Sequence, residues 1–205
     1  MDSRGRKRLS AEARRARIIA AAVAAFARDG YDGTTMDGIA AGAAITKPVL
    51  YDHFPSKQAL FLAVLQSIRD GLLARGQAIA RQDADPEQRF RRSVDAFLAF
   101  VEQAPEAARV LLTVPAADPV AAQVSREVQA GASAGIAVLL AEFLPDRAPW
   151  RVAATTAFLK EGLHAVAVWW LDHPGPSREA VVEIVVGAAW LGLGGGEGGE
   201  RGERS

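Results

Sequence analysis

The sequence predicts an all-α protein of about nine helices, and three observations support this fold class. Half of the 205 residues are hydrophobic and 23% are charged, which is the balance of an ordinary globular chain. Alanine, the strongest helix former, is abundant. Apolar residues recur at helical spacing through most of the chain, and no segment shows a sustained strand alternation.

The first 56 residues are predicted to form a three-helix domain. After a flexible basic arm at residues 1–10, helices are expected at about 11–29, 34–43 and 46–53. Ser10 is placed to cap the first helix. Thr34, with Asp37 three residues later, forms a weak capping-box pattern for the second. A tight turn at Ala44 and Ile45 joins the second helix to the third.

The third helix has an unusual first turn. Thr46 is the expected cap, which places Pro48 two residues inside the helix. Because an N–H there has no intrahelical partner, the proline favours a helix start rather than a break. Leu50 and Phe54 are spaced to pack inward. The side chains expected to be exposed are Lys47, Val49, Tyr51 and His53.

Residues 57–191 are expected to form a second helical domain, and residues 192–205 a disordered Gly-rich tail. Helices are predicted at about 57–81, around the apolar stripe of Phe90, Val94, Phe97, Leu98 and Val101, at 105–113, from a loop ending at Pro119 to about 144, at 150–172 and at 177–191. Prolines mark most of these starts.

Charge is unevenly distributed although the net charge is zero. Residues 1–57 carry ten Lys or Arg and six acidic residues, whereas the remainder carries 14 and 18. A basic first quarter on an acidic body favours a polyanionic partner, although chance segregation of surface charge would look the same.

Composition also bears on the compartment. The chain has no cysteine, which fits a reducing cytoplasm. No run of about 18 apolar residues is present, so we expect no membrane span. The basic residues up to Arg17 and the apolar run after them resemble a secretory signal. However, Ile18, Ala22 and Phe26 form one stripe of an amphipathic helix.

Three helices with a tight turn between the second and third are typical of a helix-turn-helix, here with its motif at about 35–54. A major groove admits one helix, whose N-terminal residues meet base edges. That N-terminus carries partial positive charge, and Lys47 adds to it. The side chains placed to bind the backbone on either side are Thr35, Tyr51, His53 and Lys57.

The segment TTMDGIAAGAAITKPVLYDHFPSK, residues 34–57, resembles the DNA-binding motif of the TetR family of bacterial transcriptional regulators. The resemblance covers about residues 14–74. It implies a homodimer, a palindromic double-stranded DNA operator and repression relieved by a small ligand. By position it implies phosphate contacts from Thr35, Lys47, Tyr51, His53 and Lys57, and base reading by Thr46, Pro48 and Val49.

The segment departs from the motif at two positions. Ala44 replaces the usual turn glycine, at a cost of about 1–2 kcal/mol if the backbone there is left-handed. Pro48 removes a donor, so Pro48 and Val49 offer apolar contact, best suited to a thymine methyl. Four simpler interpretations remain: a core role for Tyr51, a structural His53, a solvated Lys57 and an inert arm.

The helices at 150–172 and 177–191 carry more large apolar residues than one buried face requires. They are therefore the expected homodimer interface, as the resemblance also implies. The alternative is that both are interior helices of one subunit.

A small apolar or amphipathic effector is expected between the helices of 57–171. The candidate polar anchors are Arg109, Thr113, Lys160, Glu161 and His164. Glu161 and His164 can share a helix face, but no third ligand accompanies them, so we expect no metal and no cofactor.

The sequence therefore predicts a cytoplasmic, ligand-released repressor. The alternative is a ligand-independent DNA-binding regulator that acts through a protein partner. An enzyme is disfavoured, because the chain has three histidines, no cysteine and no recognisable nucleophile–base pair.

Overall fold

The computed structural model describes residues 10–80, 85–113, 118–141 and 148–194. Within these ranges it contains nine helices and no strand, which confirms the all-α fold class. The helices are α1 Ala11–Gly33, α2 Met36–Gly42, α3 Lys47–His53, α4 Lys57–Ala80, α5 Pro86–Gln103, α6 Pro105–Leu112, α7 Pro119–Ala141, α8 Pro149–Asp172 and α9 Arg178–Gly194.

Side-chain caps and prolines begin several helices as the sequence predicts. The Ser10 hydroxyl accepts a hydrogen bond from the Ala13 N–H at 3.1 Å, and the Asp85 carboxylate accepts one from Gln88 at 2.9 Å. Prolines occupy the first position of α5, α6, α7 and α8, where no intrahelical donor is lost. Pro119, expected at the end of a loop, is the first residue of α7.

The predicted capping box at Thr34 is wrong, because the cap of α2 is Thr35. The Thr35 hydroxyl accepts from the Gly38 N–H at 3.1 Å. Thr34 is instead buried, and its hydroxyl donates to the carbonyls of Gly30 at 2.6 Å and Ala25 at 3.2 Å. Burial of Thr34 against the end of α1 leaves its neighbour as the exposed cap.

Two predicted ends also differ from the structure. Helix α1 continues past the expected stop, since Gly30 adopts a φ of 70° as a kink and one further turn follows. Helix α9 ends at Gly194, so residues 192–194 are helical rather than disordered. The remainder of the predicted tail and the arm at 1–9 lie outside the described residues.

One continuous core connects the N-terminal helices to the rest of the chain. Helix α1 packs on α2, α4 and α6, while α7 packs on α4 and α8, and α5 packs on α9. Phe61 near the start of α4 contacts the rings of Phe26 and Tyr31 from α1. Helices α4 and α6 therefore hold the three N-terminal helices against the rest of the chain. The division into two domains between residues 56 and 57 stays a prediction.

Candidate DNA-binding and effector sites

The turn between α2 and α3 fixes how α3 projects from the molecule. Ala44 has a φ of 49°, which lies in the left-handed region. The condition under which an alanine at this turn costs free energy is therefore met. The N–H of Ala44 donates to Ala41 and the N–H of Ile45 donates to Ala40, both at 3.0 Å, which closes the end of α2. The chain reverses sharply there and re-enters a helix at Lys47.

Helix α3 presents one face to the core and one to solvent. Leu50 and Phe54 are buried, as predicted. Tyr51 is 42% exposed, and Val49 is half-buried. The residues predicted to read bases thus lie at the N-terminal end of α3, where Thr46 and Pro48 are exposed.

Thr46 is the N-cap residue by position, but its side chain makes no capping hydrogen bond. The predicted position of the cap is therefore confirmed, although the Thr46 hydroxyl takes no part in it. Pro48 occupies the first turn and already removes one donor there, so fewer N–H groups need a cap. The Thr46 hydroxyl consequently does not satisfy the helix end and can serve as a donor or acceptor towards a ligand.

Two of the predicted phosphate-binding side chains already have partners on the protein surface. The Thr35 hydroxyl accepts the Gly38 N–H as the α2 cap. The Lys47 ammonium lies 2.8 Å from the Asp37 carboxylate, and this hydrogen bond and charge raise the pKa of Lys47. Both members of the ion pair are exposed, so water screens the attraction and a phosphate can compete with it.

The Lys57 side chain does not simply point into solvent at the start of α4. Its ammonium donates to the carbonyls of Tyr31 at 2.8 Å and Thr34 at 3.1 Å. It also lies 4.4 Å from the centroid of the Tyr31 ring. These contacts occupy two of three N–H donors and fasten the start of α4 to the end of α1, so Lys57 holds the helix-turn-helix in place.

A junction around Asp118 was missed by sequence reasoning. One Asp118 carboxylate oxygen accepts the N–H groups of Val120 and Ala121, both at 3.0 Å, and so caps α7. The other accepts from the Gln58 side chain at 3.3 Å. Asp118 also faces the Tyr31 hydroxyl, and the pKa of Tyr31 is raised by burial first and by this carboxylate second.

The Asp118 junction therefore joins α1, α4 and α7. The only sequence signal was an acidic residue directly before Pro119, which is typical of an N-cap. Nothing in the sequence indicates that the same carboxylate reaches Gln58 and Tyr31.

The five candidate effector residues lie in two different places. Arg109 and Thr113 line a cavity of about 240 Å³ next to Phe26, Tyr31 and Phe61. This volume is below the roughly 300–1,000 Å³ of most ligand pockets. Arg109 is also half exposed and pairs with Asp172 at 2.8 Å, which joins α6 to α8.

The other three candidates lie on α8. Lys160 is 8% exposed and donates to Glu161 at 3.0 Å, whose own side chain points largely to solvent. His164 stacks on Phe97 of α5 with ring centroids 5.8 Å apart. Burial, and then the charge of Lys160, lower the pKa of His164, so its imidazole is neutral near pH 7.

Helices α8 and α9 both carry large apolar side chains that are exposed. Trp150 is 68% exposed, Phe158 75% and Ile184 66%. On α8, Trp150, Phe158 and Trp169 lie on one exposed stripe at helical spacing, with alanines between them. Large apolar side chains left in water on one face are typical of an interaction surface.

Two classes of site find no support among the described residues. No described helix is long and apolar enough to cross a membrane. Within the same ranges, His, Asp and Glu side chains nowhere form a group of three that could hold a metal ion. Glu161 and His164 accordingly stand without a third ligand in the described part of the chain.

Comparison with known proteins agrees with the geometry of the N-terminal helices. The family described as "Bacterial regulatory proteins, tetR family" matches residues 18–64. The transcriptional activator FasR of Mycolicibacterium smegmatis is 34% identical over 196 residues, which cover 91% of this chain and 85% of FasR. The regulator EthR of the same organism is 29% identical over 200 residues, or 92% and 90% of the two chains.

Solved structures give the same result for the fold. A TetR-like transcriptional regulator from Rhodococcus sp. RHA1 superposes with a TM-score of 0.78 at 26% identity, over 92% of this chain and 100% of that one. The fatty acid degradation regulator FadR from Bacillus halodurans has a TM-score of 0.77 at 18% identity, over 89% and 96%.

A helix-turn-helix on a helical body defines the class of protein: a DNA-binding transcriptional regulator, not an enzyme. The chain belongs to the TetR family. The family resemblance noted in the sequence is thereby confirmed.

Proposed function

We propose that this regulator binds a palindromic operator as a homodimer and that a small ligand releases it. The observation that carries the proposal is the exposed N-terminal end of α3, a helix whose opposite face packs into the core through the buried side chain of Leu50. A short helix with a free N-terminus and a rigid base is the element that fits a major groove.

The proposed contacts divide into two groups. Thr46, Pro48 and Val49 read base edges, because they lie at the leading end of α3. The side chains that bind phosphates are Thr35, Lys47, Tyr51, His53 and Lys57. Lys57 contributes through its third N–H donor and by holding α4 against α1, whereas Lys47 exchanges Asp37 for a phosphate.

The proposed dimer forms through α8 and α9. Their exposed Phe158 and Ile184 are otherwise left in water. Two copies related by a two-fold axis bury the same face on each side, and place two α3 helices for two half-sites.

The proposed effector is apolar or amphipathic and binds within the helices of 57–171, where the interior is built of aliphatic and aromatic side chains. Release of the DNA by ligand would relieve repression.

A second candidate function is transcriptional activation. FasR, which aligns with 91% of this chain, is named an activator. An operator upstream of the promoter would indicate activation, and one overlapping it would indicate repression. A ligand-independent regulator that acts through a protein partner is the remaining alternative, and failure of every tested metabolite to raise the melting temperature would favour it.

The first experiment measures binding of the purified chain to its own upstream DNA at two salt concentrations, with random DNA as the control. Tight, salt-sensitive and selective binding is expected, because phosphate contacts release counterions and base contacts discriminate. Equal weak binding to both DNAs contradicts the assignment of this DNA as the operator.

The base-reading assignment predicts that Val49→Ala changes sequence preference. Loss of an apolar contact should reduce discrimination at one base pair by up to about 15-fold, as for two methyl groups that are no longer buried. Tyr51→Phe is the matched variant, since it removes a phosphate contact and should weaken all sequences alike. Selection from a randomised operator library measures both. Uniform weakening by Val49→Ala would show that Val49 does not read bases.

A further inference from the structure

Helix α8 carries a row of polar side chains on its inner face, of which two are buried and one is half-buried. Thr156, Lys160 and His164 follow one another at intervals of four residues, so they lie on one face at about 6 Å spacing. Thr156 is 4% exposed and Lys160 8%. The stacking of His164 on Phe97 places the His164 end of this row against α5.

The polar groups of this row do not have all the hydrogen-bond partners that they could have. The Thr156 hydroxyl oxygen is buried and has no hydrogen-bond partner. Lys160 has one described partner, Glu161, although an ammonium group has three donors. A buried polar group without a partner costs free energy. The Thr156 hydroxyl and the Lys160 ammonium can therefore form further hydrogen bonds to a ligand.

The charge of the row is positive. Burial disfavours a lone ammonium, and the Glu161 carboxylate that balances it lies mostly in water, with its side chain 67% exposed. The neighbouring imidazole of His164 is neutral, because burial lowers its pKa, and so it does not balance the charge of Lys160. A second anion on the buried side of Lys160 would be less exposed to water than Glu161 is, so its attraction to the ammonium would be screened less.

The surroundings of the row are apolar. Phe97 lies against His164, and Leu163 and Val166 of α8 pack into the same core. A ligand that reaches Lys160 must therefore place an apolar body among aliphatic and aromatic side chains. This excludes a small, strongly hydrated anion as the best occupant.

We propose that Lys160 and Thr156 bind the anionic head group of the effector, which is an amphipathic carboxylate whose apolar body lies among the helices of the core. The inference rests on the proposed effector function and adds the chemistry of the head group. Glu161 acts as an internal competitor that occupies Lys160 when no ligand is bound.

The probes are decanoate, decanol and decylammonium, which share a chain and differ in the charge of the head group. Calorimetric titration of the full-length protein, below micelle-forming concentrations, measures each affinity. Decanoate is expected to bind about 10- to 100-fold more tightly than decanol, as for a hydrogen bond to a charged group. Decylammonium is expected to bind most weakly.

Four variants test the assignment of residues. Lys160→Met should remove the preference for decanoate over decanol, and Thr156→Val should reduce it. Glu161→Gln should strengthen decanoate binding, because the competing carboxylate is gone; a merely structural role for the pair does not predict a gain. Arg75→Gln on exposed α4 is the matched loss of a positive charge and should change nothing.

The outcomes separate this inference from the proposed function. Equal binding of decanoate and decanol overturns the head-group inference and leaves an apolar effector in place. A decanoate preference that survives Lys160→Met, or no gain in Glu161→Gln, also overturns it. If no probe binds, the head-group inference fails, while operator binding still tests the DNA-binding function independently.

Discussion

At the scale of single residues, Ala44 stores backbone strain. Its φ of 49° costs an alanine about 1–2 kcal/mol. We expect Ala44→Gly to raise the free energy of unfolding by about 0.5–1 kcal/mol, because the more flexible unfolded glycine offsets part of the gain. Denaturant titration measures the change.

Ala41→Gly is the control for this prediction. Ala41 lies inside α2 and is exposed, so the same chemical change should lower stability by about 1 kcal/mol. A loss of stability in both variants would mean that the turn does not need a left-handed residue.

His164 makes stability depend on pH. Burial and the charge of Lys160 lower its folded pKa, so the unfolded chain, with a pKa near 6.5, takes up the proton first as pH falls. Stability is therefore expected to decline as pH drops through about 6.5. His164→Phe, which keeps a ring against Phe97, should flatten this decline in denaturant titrations between about pH 7.5 and 5.5.

His164→Gln is the matched variant, since it removes the same titrating group without keeping the ring. It should flatten the decline as His164→Phe does. An unchanged slope in His164→Phe would assign the decline to other groups.

At the scale of elements, the Asp118 junction holds α1, α4 and α7 together. The N–H of Ala121 is the largest cause that lowers the pKa of Asp118. Because the folded pKa lies below the unfolded value, this stabilisation is present above about pH 4 and is lost as pH falls through the folded pKa. Asp118→Asn should lower the melting temperature at pH 7, and this effect should shrink progressively as pH falls from about 4 through the folded pKa.

Tyr31→Phe separates the two roles of Asp118. It keeps the cap of α7 and removes only the hydroxyl that faces the carboxylate. A smaller loss of stability than in Asp118→Asn is expected from thermal melts. An equal loss at every pH in both variants would show that the Asp118 charge is not what joins the elements.

At the scale of the whole molecule, the exposed apolar face of α8 and α9 is the proposed dimer interface. Phe158→Glu places a charge where an apolar contact is expected, so it should convert dimers into monomers. Sedimentation velocity measures the mass, and binding to a two-half-site operator should weaken in parallel.

Val120→Glu is the control for the dimer prediction. Val120 is 49% exposed near the start of α7, outside the α8 and α9 face. It should leave the mass unchanged. A monomeric wild-type protein, or a dimer that tolerates Phe158→Glu, would move the interface elsewhere.

The fold class, most helix starts and the helix-turn-helix could be predicted from the sequence, because these features depend on local signals. Apolar spacing orients each helix, and a proline or a capping residue begins it. Leu50 and Phe54 could be assigned to the core from their position within one short motif, whereas the left-handed backbone of Ala44 could be stated only as a condition.

The partners of the polar side chains could not be predicted, because they come from helices that are distant in sequence. Lys57 meets carbonyls 26 and 23 residues away, and Gln58 meets Asp118 across 60 positions. The same holds for the effector candidates, since Arg109 lies beside α1 whereas Lys160 is buried on α8. Local spacing sets which face of a helix a residue occupies, but the packing of helices distant in sequence sets what that face meets.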